Sequence, residues 1–263
     1  MPGIKSPINL RAGVPVAGTP AAGATAAESA PATGAAQDLQ LTASLAGLVD
    51  EPSRKYFARD LRDDDPITWT VHVPAGYDPE RPPGLFVFVP PIKVGTIPKR
   101  YKAVMADKNL IWVAANRSGN KTDPGLRFSY ALLAPLLIDD HYRVDQDRIY
   151  ISGFSGGGRV ASAVAPQYPG LFKGAIYICG VNSWGRDRPR DFQQVRANRF
   201  VFLTGTKDFN RSETRDIYRE YKRAAVQGIL FMDIEGMAHN IPPVADLSAA
   251  IDFLDGQSTA SDS

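Results

Sequence analysis

Arg148-Ile149-Tyr150-Ile151-Ser152-Gly153-Phe154-Ser155-Gly156-Gly157 is the stretch that decides how this chain folds. Arg148–Ser152 read as a short buried strand, Gly153–Gly157 fit Gly-x-Ser-x-Gly, and a helix runs on from Gly156 toward Ala165. A chain that passes from strand to helix in so few residues must turn sharply. The serine at the apex is then forced into a strained backbone conformation, and only small neighbours avoid a clash. Gly153 and Gly157 supply that room. The turn lifts the Ser155 hydroxyl out of the sheet, and the N–H of Gly156, at a helix N-terminus, is placed to donate to an anion. A phosphate cradle is the competing reading of a glycine-rich turn. No Lys-Ser/Thr follows it, and the spacing is not Gly-x-Gly-x-x-Gly. Ser155 is therefore the candidate nucleophile.

Outward from this turn, short uninterrupted apolar runs recur at Leu85–Val89, Ile111–Ala115, Ile149–Ile151, Ala175–Cys179, Phe200–Leu203 and Ile229–Met232. Continuous rather than alternating runs predict strands covered on both faces, as in a parallel sheet. Ile67, Trp69, Val71 and Val73 instead alternate with Thr68, Thr70 and His72, which predicts a half-exposed strand near the sheet edge. Helical patterns lie between the runs. One places Ile217, Tyr221 and Ala225 at four-residue spacing, with Asn210 and Glu213 as a cap pair, and the last aligns Val244, Leu247, Ile251 and Leu254. Alternation of this kind predicts an α/β fold, a doubly wound, mostly parallel sheet with helices on both faces.

The 263 residues are enough for one α/β domain. Residues 1–38, dense in Ala, Gly, Pro, Ser and Thr, hold too few large apolar side chains to order themselves and read as a disordered tail. The domain is expected over residues 39–256, with a second short tail at 257–263. Arg11 ahead of an Ala-rich stretch with Ala-x-Ala triplets has the look of an export leader. Pro15, Pro20 and the lack of Leu or Phe weaken it, and localisation is left open, leaning to a periplasmic or secreted protein. A net charge of +2 gives no argument for nucleic acid, and no stretch approaches the roughly 18 apolar residues of a membrane span. The single cysteine, Cys179, sits in an apolar run and reads as a buried small hydrophobe.

A nucleophilic serine needs a base, and the chain has three histidines. His72 falls on the polar side of an early strand and is expected to be solvated. His141 precedes Ser155 and stands among acidic neighbours. His239, in a loop between a late strand and the final helix, follows the order serine, acid, histidine. For the acid, Asp208 comes directly after the run Phe200–Leu203, where a carboxylate points into the crevice at the C-terminal ends of parallel strands. Asp187, Asp191 and Asp216 read as surface charges, and Asp233 and Glu235 lie on the strand leading to His239 itself. Ser155, Asp208 and His239 are thus the candidate catalytic set, with no metal and no cofactor called for.

Val73-Pro74-Ala75-Gly76-Tyr77-Asp78, Asp147–Gly157, Gly205-Thr206-Lys207-Asp208 and Gly236-Met237-Ala238-His239 together give the chain a resemblance to α/β-hydrolases. Over roughly residues 66–255 it resembles the branch of poly(3-hydroxybutyrate) depolymerase-like and feruloyl esterase-like enzymes. The resemblance implies hydrolysis of carboxylic esters without a cofactor, and its catalytic triad maps onto Ser155, Asp208 and His239. One position departs from the pattern. Such enzymes usually carry His-Gly after the third sheet strand, and the next residue donates an N–H to the oxyanion. This chain has Val89-Pro90-Pro91-Ile92, and neither proline has an N–H. The oxyanion hole is then expected from Gly156 and Ile92. If the Ile92 donor were missing, the alternative is a weakly active or inactive hydrolase fold retained for binding.

The loop from Cys179 to Phe200 stands where lids are inserted in this fold, and it is short, which suits bulky or polymeric esters. Asn182 and Trp184 are its candidate substrate-binding residues, although Trp184 could equally anchor the loop. Its arginines, Arg186, Arg188, Arg190, Arg196 and Arg199, read either as an attraction for acidic groups or as a solvated basic loop. A serine peptidase of the same fold is a variant of the esterase reading, although no propeller or large cap domain is present in the sequence.

Overall fold

A computed structural model describes residues 34–57, 59–185 and 188–257. Eight strands form one sheet in the order β1-β2-β4-β3-β5-β6-β7-β8. They are β1 (Gln37–Ala43), β2 (Ile67–Val73), β3 (Gly84–Val89), β4 (Leu110–Ala115), β5 (Ile149–Phe154), β6 (Gly174–Ile178), β7 (Arg199–Gly205) and β8 (Gly228–Ile234). β1 and β2 are antiparallel to their neighbours, and from β4 onward every pairing is parallel.

The continuous apolar runs become strands because each has two faces to bury. In β3, Leu85, Val87 and Val89 enter one core, while Phe86 and Phe88 enter the other. The first core is closed by α4 (Pro124–Asp139), α5 (Gly156–Val164) and α7 (Arg211–Arg223), through Leu133, Leu137, Ala161, Val164 and Tyr221. The second is closed by α3 (Lys102–Asp107) and α8 (Val244–Leu254), through Met105, Leu247, Ala250 and Ile251. The short helices α1 (Leu45–Leu48), α2 (Glu51–Arg54) and α6 (Phe192–Ala197) complete the chain. Among the described residues no helix is long and apolar enough to cross a membrane.

The N-terminal boundary differs from the sequence reading. The expected tail includes Gln37 and Asp38, yet they begin β1, and residues 1–33 and 258–263 lie outside the described residues. β1 alternates half-buried Leu39 and Leu41 with exposed Asp38 and Gln40, the pattern of an edge strand with one wet face. Because β1 takes the edge, β2 is interior, and Thr70 and His72 are buried rather than solvated. His72 is 2% exposed, and its Nδ1 lies 2.8 Å from a carboxylate oxygen of Asp38, which also pairs with Lys102. Deleting residues 1–38 should therefore lower Tm by several degrees. It orphans a buried imidazole, at a cost of about 1–3 kcal/mol. The check is a melting curve of the truncated chain beside one that starts at residue 37.

Candidate active site

Every parallel strand points its C-terminal end at the same edge of the sheet, and three of those ends carry the candidate residues. Ser155 follows β5 and is the N-cap of α5, with φ 57° and ψ −120°. A non-glycine residue held there costs about 1–3 kcal/mol, so its surroundings must fix it. The Ser155 N–H donates to the Ile178 carbonyl at 2.8 Å, tying the apex to the end of β6. Crowding fixes the rest: a Cβ at Gly157 would stand 1.9 Å from the Val89 carbonyl oxygen, and one at Gly180 would stand 2.2 Å from that of Ser155.

Asp208 lies in the turn after β7, and His239 in the loop between β8 and α8. The Lys207 N–H donates to the Met237 carbonyl at 3.0 Å, so the two loops are joined beside the acid. His239 Nε2 is 2.9 Å from Ser155 Oγ, and His239 Nδ1 is 2.8 Å from Asp208 Oδ1. An ionised carboxylate only accepts, so Nδ1 carries the proton and Nε2 is left to accept from the serine hydroxyl. The imidazole is flanked by two aromatic rings, Phe154 at 5.0 Å and Phe209 at 4.1 Å between centroids. Phe209 is nonetheless 76% exposed, so an apolar face stands at the mouth of the site.

The Asp208 side chain is fully buried. Burial by itself raises its pKa, but donors outweigh that cost: the Thr204 hydroxyl at 2.7 Å, His239 and the Asn210 N–H at 3.2 Å. The carboxyl is held below the ordinary carboxylate range and is ionised at neutral pH. Burial pushes the Cys179 thiol up, and the adjacent Asp208 charge pushes it further. Cys179, Asp208 and His239 are the one group of three possible metal ligands found among the described residues, with donor atoms within 4.8 Å. A thiol kept protonated is a poor ligand, and both imidazole nitrogens already face partners, so the arrangement suits proton transfer better than metal binding.

The remaining candidates go elsewhere. His141 lies beyond the end of α4 with Nδ1 2.9 Å from the Leu137 carbonyl. Asp191 caps α6, Asp216 pairs with Arg219, and Asp233 is held by Arg211 and Arg215, while Asp187 and Arg186 lie outside the described residues. Asn182 exchanges hydrogen bonds with Arg159 at 3.2 Å in both directions. Trp184 packs 4.1 Å from the ring of Tyr221 and edge-on to Phe192, which is the anchoring alternative. Both side chains are engaged in holding the loop. Arg196 and Arg199 bond the carbonyls of Ala225 and Phe253 near the start of β7, at the opposite end of the sheet from Ser155. Asn210 caps α7 by position only: its carboxamide donates to the Cys179 carbonyl at 2.8 Å, and Glu213 pairs with Arg159.

Ile92 is 61% exposed, and its N–H makes no hydrogen bond to any described residue. Its loop is tied down by Arg127 of α4, a buried side chain that donates to the Pro90 carbonyl at 3.0 Å and to that of Ser118 at 2.8 Å. Thr204, Cys179, Phe209 and Arg127 escaped the sequence reading. Only Thr204, four residues before Asp208 at a strand end, left a pattern that could have been used. Gly157→Ala should destabilise by about 1–3 kcal/mol or more, because the obstacle is backbone and cannot swing aside. The melting temperature reports it. Asp208→Asn should be less stable than the parent near neutrality. That gap should close as pH falls through the lowered pKa of Asp208, where its ionised form is lost. Denaturation at several pH values measures it.

No curated protein matches the chain in sequence. Residues 131–248 match the model of the prolyl oligopeptidase family of peptidases. Among solved structures, the chain is similar to a ferulic acid esterase, at 18% identity over 78% of this chain and 92% of that one, with a TM-score of 0.58. It is similar also to S-formylglutathione hydrolase from Staphylococcus aureus, at 13% identity over 84% and 96%, with a TM-score of 0.58. Dipeptidyl peptidase 4 of Porphyromonas gingivalis aligns at 16% identity over 75% of this chain and 34% of that one, with a TM-score of 0.54. Strand order, the elbow after β5 and these likenesses agree: the chain has the α/β-hydrolase fold.

Proposed function

We propose that the chain is a serine hydrolase that cleaves carboxylic esters through an acyl-Ser155 intermediate. The observation that carries this reading is the unbroken relay from Ser155 Oγ through His239 to the buried carboxylate of Asp208. In the first step Ser155 Oγ bonds to the ester carbon while its proton passes to His239 Nε2. The carbonyl π pair moves onto oxygen, and Asp208 stabilises the imidazolium. The oxyanion is met by the N–H groups of Gly156, which has no intrahelical partner at that position, and of Ile92. Collapse expels the alcohol, protonated by His239, and leaves the acyl-enzyme. Water, deprotonated by the same imidazole, then releases the acid.

Exposed Phe209 on one side, with Ile92 and Val94 on the loop after β3, gives the mouth an apolar rim. Together with the short loop between β6 and α6, this supports an ester that is apolar and bulky or polymeric. A fluorophosphonate probe should label Ser155, and Ser155→Ala should lose both labelling and turnover of p-nitrophenyl butyrate. Persistent labelling in that variant sinks the assignment. His239→Ala should cost about as much as Ser155→Ala, and Asp208→Asn roughly 10⁴ in kcat. Ile92→Pro should lower kcat by about 10²–10³, far more than Ile92→Ala, which keeps the N–H.

The match to the prolyl oligopeptidase family favours a second reading, an amide rather than an ester bond as target. A p-nitrophenyl ester and a p-nitroanilide of one acyl group separate the two. Preference for the anilide overturns the esterase reading while leaving the relay intact.

A further inference from the structure

The loop after β4 brings an asparagine against Gly156, the residue that follows the nucleophile. Asn120 is suspended over the elbow by two contacts between that loop and the one after β3. Its N–H donates to the Pro91 carbonyl at 2.9 Å, and the backbone of the neighbouring Gly119 lies so near Ile92 that a Cβ there would stand 2.8 Å from the Ile92 carbonyl carbon. The Asn120 carboxamide then rests on Gly156. A Cβ added at Gly156 would stand 2.3 Å from Asn120 Oδ1 and 3.2 Å from Nδ2. Glycine follows the nucleophile, in other words, where any side chain would push the carboxamide away.

Among the described residues nothing uses that carboxamide: it makes no hydrogen bond to any of them, and Asn120 is exposed. Asn116, four residues earlier in the same loop, is the opposite case: its Oδ1 accepts from the Gly95 N–H at 2.9 Å and from the Thr70 hydroxyl at 3.2 Å. The loop after β3 can offer no N–H before Ile92, because neither Pro90 nor Pro91 has one, so a further donor must come from elsewhere.

From this we infer that Asn120 is a catalytic residue whose Nδ2–H donates to the oxyanion beside the N–H groups of Gly156 and Ile92, as a third donor where Pro90 and Pro91 have none to give. The inference rests on the serine-hydrolase reading of Ser155. When the Ser155 Oγ–carbon bond forms and the π pair moves to oxygen, rotation of an unengaged carboxamide presents its N–H to the new charge. The ground-state carbonyl asks less of the same donor, so the contact favours the transition state over the bound ester.

The test compares the full chain with Asn120→Ala and Asn120→Asp. Three readouts are taken: kcat and KM on p-nitrophenyl butyrate, Kd for butaneboronic acid, and Tm. The boronic acid forms a tetrahedral anionic adduct on the serine and so reports the oxyanion site without turnover. Asn120→Ala should lower kcat by about 10²-fold with KM nearly unchanged, and should weaken the boronate by a similar factor. Asn120→Asp keeps the shape but points a negative acceptor at the oxyanion, so it should lose more than Asn120→Ala. Tm should stay within a degree or two of the parent. Activity of Asn120→Ala within about threefold of the parent overturns the inference. So does a loss of kcat with Tm falling and boronate affinity kept, which marks a structural role. If the parent neither turns over the ester nor is labelled at Ser155, the hydrolase reading itself fails. An active parent with an indifferent Asn120 removes only the oxyanion assignment.

Discussion

The backbone of Ser155 is the constraint on which the rest of this structure depends. A serine at φ 57° and ψ −120° is not a conformation the chain adopts unaided. It persists because three pieces of backbone close on it: the end of β3, which fills the space beside Gly157; the end of β6, which accepts the Ser155 N–H; and the turn at Gly180. Those neighbours exist only if β5 lies between β3 and β6 in a parallel sheet. Strand order is thus coupled to one residue's dihedral angles. The glycines of the motif are the places where two backbones approach too closely for a Cβ, so the motif records the topology as well as the chemistry.

The second requirement is a buried negative charge that stays charged. Placing Asp208 out of water would by itself protonate it, and a protonated acid would stabilise an imidazolium poorly. The chain offsets this with donors from three directions: Thr204 on β7, Asn210 at the head of α7 and His239 itself. Asn210 gives its N–H to the carboxylate and its carboxamide to the Cys179 carbonyl, bridging two loops. A residue whose letters suggest a helix cap therefore does more for the site than for the helix. Cys179, kept protonated by its burial and then by the charge of the same carboxylate, is the reciprocal case.

How much of this was legible follows from how local each cause is. The parallel strands were legible because each must be apolar on both faces, and Phe86, Val87 and Phe88 cannot be read otherwise. Ser155, His239 and Asp208 were legible because chain order and strand ends restrict where such residues stand, and the structure brings those three together. β1 was not legible: an edge strand buries one face only, and Gln37 to Ala43 carries just Leu39 and Leu41 between polar residues. Missing β1 made β2 look like an edge and His72 look solvated. Trp184 and Asn182 were ambiguous because one loop residue reads alike whether it faces a ligand or its own scaffold; Tyr221 and Arg159, their actual partners, are 37 and 23 positions away. Asn120 left no trace, since its meaning depends on the absence of a side chain at Gly156.

The proline pair then reads as an exchange rather than a loss. Pro90 and Pro91 have no N–H to offer, but their fixed φ angles restrict the loop that carries the Ile92 N–H before any contact is made. Arg127 restricts it further. A guanidinium buried without a carboxylate is costly to desolvate, and among the described residues it is compensated by the carbonyls of Pro90 and Ser118 alone. Those carbonyls belong to the two loops that meet over Gly156, so the buried charge holds both at once from α4. Oxyanion stabilisation depends on donors that need not reorganise when charge appears, and rigidity of the surrounding backbone is what limits that reorganisation. A hole built from one elbow N–H, one N–H beyond two prolines and a side chain hung from the facing loop can be as well positioned as one built from backbone alone. The condition is that the two loops keep their spacing, and Arg127 spans it.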